Sequence, residues 1–244
     1  VAKPKTLLID IETSEMENYS WGIRKQFIGH EDIKEDWNVL SWSAKWLGDK
    51  EIMQQDNRNA RDVRNDKKLL KGIWKLLDEA DLVITQNGDK FDIKRLNARF
   101  IIHDLPRPSS FQSFDTLKFA NKTFGFTSHK LDYVSNALKL KYRKLKHHEF
   151  PGKTMWRECM KGNLKAWDAM AEYNRWDILS LEEYYEKIRP WAIDFNFKAW
   201  NGDDLVCSCG SRSFTKNGSR PFRGGMYQRL HCKDCGAEHR GEKI

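Results

Sequence analysis

Asp10 and Glu12 stand two residues apart at the end of the apolar run Leu7-Leu8-Ile9. On a strand, alternate side chains share a face, so the two carboxylates point the same way. Two anions at the end of a buried strand cost several kcal/mol unless positive charge sits between them. Mg²⁺ and Mn²⁺, which prefer oxygen ligands, answer that need; the alternative is a strand ending in solvent with two exposed acids. Asn87-Gly88-Asp89-Lys90-Phe91-Asp92 follows a strand pattern and opens a helix, placing Asp92 at the helix N-terminus, where an acid also serves as an ordinary cap. Tyr173 and Asp177 are four apart in a helical stretch and lie on one face. Together these segments supply four carboxylates and a phenol, each on the element type a metal site requires.

A second constellation closes the chain. Cys207-Ser208-Cys209-Gly210 and Cys232-Lys233-Asp234-Cys235-Gly236 look like the two knuckles of a zinc ribbon. Four thiolates complete a tetrahedral, structural Zn²⁺ site, and in a segment with few large aliphatics the metal supplies the folding energy. The first knuckle is C-x-C, one residue short of the usual spacing, which leaves His231 as a substitute ligand. Two close pairs are not the spread of a disulfide framework. Cys159 stands apart with no base beside it and reads as a packed thiol. Between the knuckles lie Arg212, Lys216, Arg220, Arg223, Tyr227 and Arg229. That stretch resembles the DNA-binding ribbons of transposase-type proteins, implying a grip on nucleic acid; the other reading is a structural stub.

The elements that must position these residues are legible in outline. Lys5 to Ile11 reads as a buried strand, and Asn38 to Leu47 and Glu51 to Gln55 as strands joined across Gly48-Asp49-Lys50. Between them, Thr13 to Asp36 is polar and irregular. Lys67 to Ala80 carries Leu69, Leu70, Ile73, Leu76 and Leu77 at amphipathic helix spacing. Strands at Asp81 to Gln86 and Phe111 to Phe114 alternate with helices at Phe91 to His103 and Leu131 to Leu140. A long helix runs from Asn163 to Trp191 and stops near Pro190. This order predicts an α/β fold, a mixed sheet flanked by helices. Composition shifts to Gly, Ser, Arg and Cys near residue 201, so the chain divides into a domain over 1–198 and a small one over 203–244.

The charge balance is +8, which favours an anionic partner. No apolar run is long enough to cross a bilayer, and the strand pattern starting at residue 5 leaves no room for a signal peptide. A cytoplasmic protein is expected, with no membrane partner. The run Lys139 to His148, with Lys141, Arg143 and Lys144, either carries a substrate strand or is a solvated helix end.

The three acidic segments, taken in order, resemble the motifs of the DEDDy branch of the DnaQ-like 3′–5′ exonucleases, on the RNase H-like fold. The first motif is Leu8-Ile9-Asp10-Ile11-Glu12-Thr13, the second Asn87 to Asp92, the third Tyr173-Asn174-Arg175-Trp176-Asp177. Leu131-Asp132-Tyr133-Val134 is similar to the family's connecting helix. The likeness spans about residues 5 to 195 and is nearest to B-family polymerase proofreading domains and free-standing, phage-type relatives. The histidine variant of the family would place His where Glu172 stands; Tyr173 marks the tyrosine class. The resemblance implies hydrolysis of DNA from the 3′ end with two Mg²⁺ or Mn²⁺ ions about 3.5–4 Å apart. It assigns Asp10, Glu12 and Asp177 to the metal that activates water and Asp10 also to the second metal, with Asp92 assisting. Tyr173 would orient the water, and Asn87 and Phe91 would touch the strand. It extends the locations to the host cytoplasm of a phage, and the partners to a replication or recombination complex. An RNA-trimming exonuclease is the alternative within this chemistry, and a non-catalytic zinc-ribbon binding module the alternative outside it.

Overall fold

The computed structural model describes residues 5–24, 26–143, 145, 149–192, 205–207, 209–222 and 224–244. β1 (Thr6–Thr13) is the central strand of a five-stranded sheet. β4 (Val39–Trp46) and β5 (Met53–Asp56) lie antiparallel on one side of it; β6 (Leu82–Thr85) and β7 (Gln112–Asp115) lie parallel on the other, giving the order β5-β4-β1-β6-β7. Helices cover both faces. The mixed, helix-flanked sheet predicted from the order of the elements is the one formed.

Period-two alternation along β1 sorts its side chains between two cores. Leu7, Ile9 and Ile11 join Trp42 and Ala44 of β4 against α1 (Lys67–Glu79) and α2 (Asp92–Ile102). Leu8 faces the other way, with Leu82 and Ile84 of β6, and meets Ile178 and Leu181 of the long helix α6 (Leu164–Ile188). Asp10 and Glu12 keep the parity of Leu8 and so emerge on the α6 side. α1 buries Leu69, Leu70, Ile73 and Leu77, each contributing about 1.5–3 kcal/mol by leaving water. That stripe fixes α1 to the sheet.

Four local readings are corrected. The irregular stretch after Thr13 contains a short antiparallel pair, β2 (Glu17–Asn18) with β3 (Ile33–Glu35), and a single 3₁₀ turn at His30–Asp32. Two short helices escape sequence reading: α3 (Thr116–Thr123) and α5 (Thr154–Met160). The helix expected over Leu131 to Leu140 is α4 (Leu131–Ala137). Lys139 takes φ 53°, and Leu140 N–H turns back to Ser135 O at 2.9 Å, a left-handed helix stop. The proposed domain boundary falls outside the described residues. Beyond it, β8 (Phe214–Phe222), β9 (Gly225–Cys232) and β10 (Glu238–Lys243) form an antiparallel sheet in the order β10-β9-β8.

Candidate functional site

One carboxylate oxygen from each of Asp10, Glu12 and Asp177 lies within 4.8 Å of the others. β1 supplies the first two through its alternation, and α6 lays Asp177 over them. The same turn of α6 brings Tyr173 and Asn174. Asn174 is fully buried, and its Nδ2 donates to the Asp10 carboxylate while lying 3.4 Å from the Asp10 carbonyl oxygen. Glu12 is held from α5: Trp156 Nε1 donates to Glu12 Oε2 at 2.8 Å. The Trp156 ring meets Tyr173 edge-on, with centroids 5.9 Å apart. α5 is itself moored by Arg157 to Glu15 at 2.7 Å.

Burial, and then the negative charges of Asp177, Glu12 and Asp10, push the Tyr173 phenol well above its usual range. Tyr173 therefore stays protonated and donates; its hydroxyl is hydrogen-bonded to Asp177. Three converging carboxylates offer only hard oxygen donors, the set that suits a divalent cation such as Mg²⁺ or Mn²⁺. The donor chemistry fits the ion expected from sequence.

Asp92 is close by but separate. It is not among the three acids that converge; its Oδ1 accepts the backbone N–H of Ile11, between Asp10 and Glu12, at 3.0 Å. Burial raises its carboxyl to about 7, although the Ile11 bond works in the opposite direction. Its loop is set by Asp115, which accepts from the N–H groups of Asn87 (2.9 Å) and Asp89 (3.2 Å) and also caps α3 through Leu117 and Lys118. Asn87 sits at φ 69°, and a Cβ on Gly88 would collide with the Thr85 side chain, so the turn needs both residues as they are. Phe91 is partly buried, with the Arg95 guanidinium 4.4 Å over its ring.

Sequence reading missed three residues here. Asn174 lies inside the third motif, and an amide one residue from a candidate ligand was an available signal. Trp156 and Asp115 left none, because their partners are distant in sequence.

In the C-terminal sheet, one sulfur from each of Cys207, Cys209, Cys232 and Cys235 lies within 4.8 Å of the others. Both knuckles close the same way despite their unequal lengths. Gly210 (φ 85°) returns its N–H to Cys207 O at 2.8 Å, and Gly236 (φ 78°) to Cys232 O at 3.0 Å. His231 is not part of the cluster. His239 is near it instead, with Nε2 3.2 Å from Cys207 Sγ. Burial works to raise the Cys232 thiol, but N–H groups of Cys235 and Asp234 outweigh it and bring it down to about 7. Burial instead raises the Cys207 thiol, and that of Cys209 to about 11; four converging thiols suit Zn²⁺. Cys159, by contrast, is buried and pushed up to about 12, an inert thiol as expected.

The candidate strand contacts scatter. Lys141 and Arg143 are exposed, on a segment tied to α6 by Glu183, which accepts the N–H groups of Lys141 and Tyr142 at 3.1 and 3.2 Å. Arg220 and Arg229 both pair with Glu238. Lys144 and Arg223 lie outside the described residues.

Among solved structures, the chain is similar to the family B DNA polymerase from the hyperthermophilic archaeon Pyrobaculum calidifontis, with a TM-score of 0.54 and 14% identity. The match covers 78% of this chain but only 25% of the polymerase chain, and at that identity it speaks to the fold. No curated protein sequence matches. The family model of the RNase_H superfamily matches residues 34–189, a span that holds Asp92, Tyr173 and Asp177 and begins after β1. That match, the five-stranded mixed sheet and the acidic cluster at its centre support a metal-dependent nuclease acting on nucleic acid. With more than half of its length matched, this chain belongs to the RNase_H superfamily.

Proposed function

We propose that the chain is a 3′–5′ exonuclease of the DEDDy type, releasing nucleoside monophosphates from the 3′ end of DNA. The observation that carries this reading is the joining of Tyr173 and Asp177 on α6 to Asp10 and Glu12 on β1, with the phenol kept protonated beside three acids. The likeness in fold to a DNA polymerase is compatible with DNA as the substrate. Residues 1–198 form the catalytic unit and 203–244 a zinc ribbon that grips nucleic acid.

Divalent cations bound among the acids supply the charge that activates water and stabilises the leaving 3′-oxygen. Asp10, Glu12 and Asp177 would hold them, with Asp92 assisting directly or through water; Asp92 also accepts the Ile11 N–H between Asp10 and Glu12. Tyr173 orients the attacking water through its hydroxyl. Without metal the phenol is protonated and hydrogen-bonded to Asp177, so its role is to position water rather than to take its proton. Asn174 holds an oxygen of the Asp10 carboxylate and Trp156 one of Glu12.

The test is a time course on 5′- and 3′-labelled single-stranded DNA, with Mg²⁺, with Mn²⁺ and with chelator. A metal-dependent ladder from the 5′ label, with mononucleotide released from the 3′ label, is expected. No cleavage of DNA or of matched RNA under any condition overturns the proposal. Tyr173→Phe should slow kcat by about tenfold to a thousandfold, less than the about 10²–10⁴-fold of a general acid or base because the phenol only orients water. Trp156→Phe keeps the ring contact but removes the bond to Glu12. A hydrogen bond to a charged group contributes about 1.5–3 kcal/mol, so activity at limiting Mg²⁺ should fall roughly tenfold to a hundredfold and recover in part at high Mg²⁺. An unchanged Mg²⁺ dependence would remove Trp156 from the site.

A further inference from the structure

A groove of about 1310 Å³ runs along β5 at the sheet edge, between α1 and α6. Its walls are basic: Arg58, Arg61, Lys67, Lys68, Lys71 and Lys75 against two acids, Asp56 and Asp62. Arg58 is committed to Asp56 and Asp168. The four lysines are exposed and form no ion pair among the described residues. Lys68, Lys71 and Lys75 follow one another at i, i+3 and i+7 and share one face of α1. At a 1.5 Å rise per residue they span about 10 Å, the length of about three nucleotide steps in a stacked strand.

The inner end of the groove is built from polar groups that lack partners. Ser41 is 3% exposed and Asn174 fully buried, both line the groove, and neither Ser41 Oγ nor Asn174 Oδ1 has a hydrogen-bond partner among the described residues. A buried oxygen without a partner costs about 1–3 kcal/mol, which a ligand carrying donors, or the water around it, would relieve. These two residues also adjoin the acidic centre. Ser41 is the β4 neighbour of Glu12, and Asn174 donates to Asp10. The groove therefore ends against two residues that touch the acidic centre, and its charge is opposite.

We infer that this groove binds the phosphate backbone of a nucleic-acid strand, holding the part of the substrate that lies away from the reacting end. The choice of ligand rests on the nuclease reading; the cations and the unpartnered oxygens do not. The acids at the centre repel a phosphate chain until cations are bound, and a row of unpaired lysines offsets that repulsion along the approach. Association then releases counterions, so affinity falls with salt.

The experiment measures binding of fluorescein-labelled oligothymidylate by anisotropy across a salt series. It uses the full chain carrying Asp177→Asn, without added Mg²⁺, so that no cleavage is involved. Lys68→Gln/Lys71→Gln/Lys75→Gln is compared with Lys130→Gln/Lys165→Gln/Lys187→Gln, which removes the same charge from exposed positions off the groove. Removing three phosphate contacts should flatten the slope of log K against log salt by about 2, which is about a hundredfold weaker binding at 0.1 M salt relative to a 1 M reference. The off-groove variant should keep the parent slope. Equal slopes for the two triple variants overturn the groove assignment even if the unsubstituted chain degrades DNA with Mg²⁺. A groove-specific loss, with an unsubstituted chain that cleaves neither DNA nor RNA, would uphold the groove and refute the nuclease reading.

Discussion

Asp177→Asn is expected to lose at least about a thousandfold of cleavage while folding as the parent does. Charge stabilisation by a bound metal contributes several kcal/mol to the transition state, and each 1.36 kcal/mol is tenfold in rate. An amide at this position keeps the size of the side chain on a buried face of α6 but removes one of three converging anions. Without metal, the loss of like-charge repulsion leaves the variant at least as stable as the parent. With metal, the parent gains stability because the folded state alone has the assembled site. Thermal unfolding with and without Mg²⁺ separates the two effects: the parent shifts upward and Asp177→Asn does not. Asp10→Asn should behave the same way, with a further loss of order where Asn174 now faces an amide. Cleavage at parental rates by either folded variant would remove the acidic cluster from the reaction.

Stripping zinc, or replacing Cys235 by Ser, is expected to unfold residues 205–244 and leave the large sheet intact. The buried cluster of this segment consists of Cys207, Cys232 and Ala237, with Cys209, Phe214 and Cys235 half-buried around it. The ligands are thus most of the core, and an apolar cluster that small cannot offset the entropy of ordering a three-stranded sheet. A structural Zn²⁺ site supplies about 10–16 kcal/mol at neutral pH. Amide exchange gives the readout: protection across β8, β9 and β10 should vanish with chelation, while β1, β4 and α6 retain theirs. One zinc released per chain on thiol modification should accompany it. Protection of β9 that survives complete chelation would mean that the knuckles fold without metal.

Much of the site was readable because its signals are local. The D-x-E spacing fixes one strand face for Asp10 and Glu12, and the four-residue spacing fixes one helix face for Tyr173 and Asp177, whatever the rest of the chain does. The paired glycines after the cysteines likewise announce the two knuckle turns. The C-x-C spacing left His231 open as a ligand, and only the assembled sheet brought all four sulfurs together and set His239 against Cys207. α3 and α5 stayed hidden because short helices owe their stability to packing more than to propensity.

The sequence alone determined the carboxylates, the phenol, the cysteines and the alternation of strands and helices, since each depends on periodicity within a few residues. Tertiary structure decided which groups meet. Trp156 reaches Glu12 across 144 residues, and Asn174 reaches Asp10 across 164. Asp92 was tied to the β1 backbone through Ile11 and does not join the three converging acids. The row of lysines on α1 became one wall of a groove only when β5 took the sheet edge beside it. Contacts at such separations follow from how the two cores pack against the sheet, and no local pattern of residue types encodes them.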